Sequence, residues 1–151
     1  MGALSVGDRA PDFSSVDSDG RPVSLSGFAG KVVVLYFYPK ANTPGCTREG
    51  IAFNEKLDWL GQHGAVVLGI STDSPGAQAK FKQRYSLGFT MVSDAGRKIS
   101  SLYGVLRPTG TAERTTFLVG RDGVIAAVIR GVRPEEHASE VVRRMEDLGM
   151  A

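Results

Sequence analysis

Cysteine is nearly absent from this chain: Cys46 stands alone among 151 residues. An intrachain disulfide framework is therefore excluded, as are the multi-cysteine arrangements that hold zinc or iron–sulfur clusters. Long apolar runs are missing too. The longest, at 32–38 (VVVLYFY), falls far short of the ~20 residues a membrane-spanning helix needs. The N-terminal stretch MGALSVGDRAPDF has Asp and Pro where a signal peptide needs an apolar segment, so a soluble, cytoplasmic protein is expected. An excess of one charge is also lacking. The 18 Lys and Arg against 16 Asp and Glu leave only +2, scattered along the chain, which argues against nucleic-acid and membrane partners. No repeat or low-complexity segment occurs. The 19 glycines include no Gly-x-Gly-x-x-Gly after a strand, so nucleotide binding has no support and neither cofactor nor metal is expected.

What is present is an alternation of apolar runs with amphipathic stretches, the pattern of helices packed on a mostly buried sheet. The length suits one domain spanning 1–151, large enough to bury about 70% of the surface exposed by the unfolded chain. Residues 31–38 and 65–71 are continuously apolar, which suits central strands covered on both faces. Residues 114–119 and 123–129 flank an Asp122-Gly123 hairpin turn, and Asp17-Ser18-Asp19-Gly20 marks a small N-terminal hairpin. Helices are expected at 45–60, 75–85, 97–102 and 134–148. In the last, Ala138, Val141, Val142, Met145 and Leu148 recur at helical spacing, with Pro134 at the start and Gly149 at the close. This order predicts an α/β fold of thioredoxin-like type: a central mixed sheet flanked by helices, with an N-terminal hairpin added.

Cys46 follows the first central strand, in the segment FYPKANTPGCTREG. Thr43 is placed to cap a helix, Pro44 to occupy its first position, and Cys46 falls in the first turn. Unpaired backbone N–H groups and the positive end of the helix dipole there favour a thiolate, the nucleophilic form of cysteine. A small buried hydrophobe is the competing reading of an unpaired cysteine. The Thr43 hydroxyl suits either an ordinary N-cap or a contact to the sulfur or its substrate. Pro39, which cannot donate a hydrogen bond, suits both a strand terminus and a wall beside the sulfur.

The same segment resembles the active-site stretch of the peroxiredoxins, especially the peroxiredoxin Q or bacterioferritin comigratory type. The pattern of Pro39, Thr43 and Cys46 carries the likeness, which runs on through Gly7 to Phe13, Arg114 to Leu118 and the Asp122-Gly123 turn. The resemblance implies a peroxidase in which Cys46 attacks hydrogen peroxide or an organic hydroperoxide. It implies that Arg114 stabilises the thiolate and bonds the peroxide, that Thr43 contacts substrate, and that Glu49, one helical turn after Cys46, orients the arginine. Spacing alone would not select Arg114.

One departure from the family pattern matters. Many members of this subgroup carry a second, resolving cysteine five residues after the first, where this chain has Ile51. A Cys46 sulfenic acid could then be resolved only by an external thiol, a thioredoxin, a glutaredoxin or a low-molecular-weight thiol. A monomer or weak dimer is expected. Two other functions compete: a thioredoxin-like binding or chaperone module with a vestigial cysteine, and a disulfide reductase, which would normally need Cys-x-x-Cys. His63 and His137, the candidates for a cysteine–histidine hydrolase pair, are expected to be solvated. Phe53, Leu57, Trp59 and Leu60 are expected in the core.

Overall fold

A computed structural model describes residues 4–151. The first three residues of the N-terminal stretch considered above lie outside the described residues. The chain forms β1 (Ser14–Asp17), β2 (Pro22–Ser24), β3 (Val32–Phe37), α1 (Pro44–Glu55), α2 (Leu57–Gln62), β4 (Ala65–Ser71), α3 (Pro75–Tyr85), β5 (Thr90–Ser93), α4 (Lys98–Leu102), β6 (Thr115–Val119), β7 (Ile125–Ile129) and α5 (His137–Asp147), with short 3-10 turns at Ser26–Phe28 and Pro134–Glu136. The strands make one sheet in the order β2-β1-β5-β4-β3-β6-β7. Its centre is parallel, β3 with β4 and β4 with β5, whereas β6 runs antiparallel to β3 and β7 to β6.

Every residue of β3 is buried, because helices or loop segments cover both faces of the sheet. Val32, Val34, Tyr36 and Tyr38 point into a layer with Phe53 of α1, Leu60 of α2, Phe81 of α3 and Ala138, Val141 and Met145 of α5. Val33, Leu35 and Phe37 point the other way, into a layer with Ala10, Phe13, Leu25, Ile99 of α4 and Tyr103. The period of two along a strand sorts these residues, and α1 with Cys46 lies on the first side.

Three features differ from the sequence-based expectation. Residues 45–60 form two helices, because the Lys56 N–H bonds to Phe53 O in a tight turn instead of continuing the α-helical ladder. No Gly or Pro marks that break. Strand β5 has no sequence signature, being four residues with Thr and Ser at its ends. It nevertheless pairs with β4 on one side and β1 on the other, and so joins the N-terminal hairpin to the sheet. The last helix opens with a 3-10 turn at Pro134 before becoming α-helical at His137. Leu60 and Phe53 are fully buried, while Leu57 and Trp59 pack at the margin of the same core.

Gly69 in β4 makes room for a neighbour. A Cβ there would meet the Tyr36 ring and hydroxyl at 3.0 Å, and that ring is stacked on Phe53 at a centroid separation of 4.5 Å. The buried ring has nowhere to retreat. Gly69→Ala is therefore expected to cost about 1–3 kcal/mol of stability, as overpacking in a filled core does, measured as a lower urea midpoint at unchanged slope; an unchanged midpoint would show that the ring yields freely.

Candidate active site

The loop leaving β3 carries Pro39, half-buried, and Thr43, which takes extended backbone angles at the N-cap of α1. Thr43 does not cap the helix with its side chain. Its hydroxyl donates to Lys40 O at 2.7 Å, and its carbonyl accepts the Thr47 N–H at 2.9 Å. The loop is tethered to β4: Ala41 N–H donates to Asp73 Oδ2 at 2.8 Å, and Ser71 Oγ donates to the same oxygen at 2.7 Å. Pro44 opens α1, and Cys46 is its third residue, where a backbone N–H has no partner within the helix.

Cys46 is 1% exposed. Its sulfur has a directional partner from far along the chain: Arg114, the residue just before β6, donates from Nη2 to Sγ at 3.5 Å and from Nη1 to Glu49 Oε1 at 2.5 Å. Glu49 is one turn beyond Cys46 on the same face of α1 and is wholly buried, although such a position in an early helical turn is often a surface one. Gly45 permits the approach of the guanidinium, since a Cβ there would lie 3.1 Å from Arg114 Nη2 and 3.4 Å from Pro134 Cγ. Among the site residues considered from sequence, Cys46, Glu49 and Arg114 are thus joined by contacts, while Pro39 and Thr43 lie on the loop leading to them.

The expectation of a solvated His137 is overturned. The first turn of α5 packs against α1 and β6, leaving His137 with no solvent exposure; Nδ1 is 3.0 Å from Thr116 Oγ1 and 3.8 Å from Glu49 Oε2. His63 is half-buried, its ring tilted against Trp59 with centroids 4.1 Å apart and Nδ1 2.8 Å from Trp59 O. Neither is bonded to the sulfur, so no cysteine–histidine hydrolase pair forms. Gly45 and Thr116 were not distinguished by the sequence, and His137 was considered only as a hydrolase candidate expected to be solvated. An apolar helical face that includes one histidine, at His137, was the available signal.

Electrostatics in this pocket are governed by burial. It pushes Glu49 up to about 8 against the opposing pull of Arg114. Burial, reinforced by the nearby Arg114 charge, lowers His137 to about 4. Burial also works against the Arg114 charge, but Glu49 and Cys46 outweigh it and hold the guanidinium above its usual value. The arrangement presents one fixed cation to a sulfur at a helix N-terminus, with a carboxyl behind the cation. Such a site can support a thiolate and receive negative charge developing beside it. Among the described residues no three His, Cys, Asp or Glu side chains are grouped to hold a metal ion, and no helix is long and apolar enough to cross a membrane.

Two opposed pH dependences follow. A Glu49 midpoint raised from 4.5 to about 8 makes the folded state retain a proton that the unfolded chain releases, so stability falls as pH rises through that window. A His137 midpoint lowered from 6.5 to about 4 does the reverse: the unfolded chain takes up a proton first, so stability falls as pH drops through that window. The two offset each other where they overlap, leaving a plateau, and above it stability declines by on the order of 2 kcal/mol toward pH 8. Urea unfolding in a Cys46→Ser background, free of thiol titration, checks this. Adding Glu49→Gln is expected to remove the alkaline decline and expose an acid-side loss; an unaltered profile would contradict it.

The model of the AhpC/TSA family matches residues 6–128. A peroxiredoxin bcp of Coxiella burnetii is 43% identical over 150 residues, covering 95% of this chain and 99% of the relative. The crystal structure of a Cys-to-Ser mutant of PrxQ from Xylella fastidiosa superimposes with a TM-score of 0.92 at 30% identity over 99% of both chains. The bacterioferritin comigratory protein of Xanthomonas campestris does so with a TM-score of 0.85 at 31% identity, over 90% of this chain and 91% of the other. Family model, relatives and fold agree, and the chain accordingly belongs to the AhpC/TSA family, among the peroxiredoxins of the bacterioferritin comigratory and Q type, as a member with a single cysteine.

Proposed function

We propose that this thiol-dependent peroxidase works through Cys46 as the peroxidatic nucleophile. The observation that carries the assignment is the Arg114 guanidinium, which donates at once to Cys46 Sγ and to Glu49 Oε1. The thiolate attacks one oxygen of the peroxide; the S–O bond forms as the O–O bond breaks, and the departing oxygen takes up a proton to leave as water or an alcohol. Negative charge moves from sulfur toward that oxygen, and a guanidinium can follow it with a second N–H in a way an ammonium cannot. Glu49 orients the arginine. The Thr43 hydroxyl, whose proton is directed to Lys40 O, keeps lone pairs free to accept from the peroxide O–H. Pro39, without an N–H, walls the loop side of the sulfur.

The product on the enzyme is a Cys46 sulfenic acid. With no other cysteine in the chain, an external thiol forms a mixed disulfide with Cys46 and releases water, and a second thiol frees Cys46 as a disulfide product. A thioredoxin, a glutaredoxin or a low-molecular-weight thiol fits this role, and a cytoplasmic setting keeps such thiols reduced. Hydrogen peroxide and organic hydroperoxides are the substrates; alkyl peroxide reduction is described for the Xanthomonas campestris relative, which supports the second class.

Reduced protein mixed with one equivalent of hydrogen peroxide is expected to gain one oxygen at Cys46 by intact mass, far faster than a free thiol. Cys46→Ser is expected to abolish peroxide consumption while melting as a folded protein, and Arg114→Lys to slow oxidation roughly 10²-fold, the size of a lost preorganised donor. Oxidation at a free-thiol rate would overturn the assignment. Many turnovers without added thiol would overturn the external-thiol cycle.

A further inference from the structure

His137 is a buried titratable side chain that the reaction described above does not use. Its imidazole lies on the far side of Glu49 from Arg114. Glu49 Oε1 accepts from Arg114, whereas Glu49 Oε2 and His137 Nε2 are both buried without a hydrogen-bond partner among the described residues. His137 Nδ1 lies 3.8 Å from Oε2, and Nδ1 is itself held by Thr116 Oγ1 at 3.0 Å. Thr116 follows Arg114 by two residues, so both side chains leave β6 toward α1 and α5. The groups facing the imidazole are thus Glu49 from α1, and Arg114 and Thr116 from the β6 segment.

We propose that His137 is a positioning residue for peroxide reduction: it holds the free oxygen of Glu49 in place, so that Arg114 can grip the carboxyl and the Cys46 sulfur together. The inference rests on the peroxidase reading above. Neutral imidazole suits the task because Nδ1 can serve Oε2 in either protonation state. As an N–H it donates to the carboxylate while sharing that proton with Thr116 Oγ1, and as a lone pair it accepts from the carboxyl O–H in place of the Thr116 hydroxyl. An apolar side chain would pack in the same space and offer Glu49 nothing. The separation of 3.8 Å exceeds a hydrogen bond in this structure, and in the proposed role the two atoms close to bonding distance when peroxide is bound.

The test is a double-mutant cycle read on the rate of Cys46 oxidation by stoichiometric hydrogen peroxide and, independently, on its alkylation by iodoacetamide. His137→Leu is expected to slow both by about tenfold in the wild-type background and to add nothing in Glu49→Gln, because residues acting as one unit are not additive. His137→Asn, whose amide places a donor or acceptor near the Nδ1 position, is expected to recover most of the rate; His137→Gln, which is longer and reaches toward the Nε2 position, is not. An unchanged rate in His137→Leu, or an equal loss in the Glu49→Gln background, would overturn the proposal. Equal rates in the Asn and Gln variants would overturn it as well, and that pair carries the test if His137→Leu does not fold. If wild-type protein itself reacts no faster than a free thiol, the peroxidase reading fails instead.

Discussion

The Arg114 guanidinium is the interaction on which the site depends, because among the described residues it is the one group that bonds both the sulfur and the buried carboxyl. It joins three parts of the chain that sequence separates widely: the first two turns of α1, the entry to β6 and, through Glu49, the start of α5. A cation and a carboxyl taken out of water are expensive to keep, and direct contact recovers that cost only with good geometry. Gly45 supplies part of the geometry by omitting a side chain where the guanidinium crosses the helix. Such a pair is a poor source of stability, which fits its proposed role of presenting charge to Cys46.

The sheet makes that device rigid. Cys46 stands beyond the C-terminal end of β3, the strand covered on both faces and paired to β4 and β6 along its length. Between β3 and α1 the loop is short and is tied to β4 by Asp73, which accepts from Ala41 and Ser71. Opposite faces of β3 feed separate cores, so the layer holding Phe53, Tyr36 and Met145 supports α1 and α5 without involving the layer beneath. The residues proposed to carry the chemistry therefore lean on a fully buried core layer, where small displacements are resisted.

Burial also links chemistry to folding. Desolvation raises Glu49 and lowers His137, so the folded pocket keeps its proton on the carboxyl side where the unfolded chain would place it on the imidazole. Arg114 is then a fixed positive charge in direct contact with the sulfur. The same desolvation that makes the pocket costly makes each of its hydrogen bonds stronger than it would be in water.

Much of this was legible from local pattern. Strands β3 and β4 announce themselves as unbroken apolar runs, the β6–β7 hairpin through Asp122-Gly123, and α1 through Pro44, which also places Cys46 in a first turn and Glu49 one turn later. These are properties of neighbours in sequence, fixed by backbone sterics, hydrogen-bond periods and side-chain alternation. Arg114 was singled out only by resemblance to a family, since nothing in its own surroundings separates it from seventeen other basic residues. Strand β5, the burial of Glu49 and the enclosure of His137 were decided by tertiary packing. In each case the deciding partner lies tens of residues away: β1 and β4 for the short β5, Arg114 for Glu49, and the Thr116–Glu49 pair for His137. A local pattern carries no information about which distant face will close over a polar side chain, because that is settled by how the helices dock on the sheet.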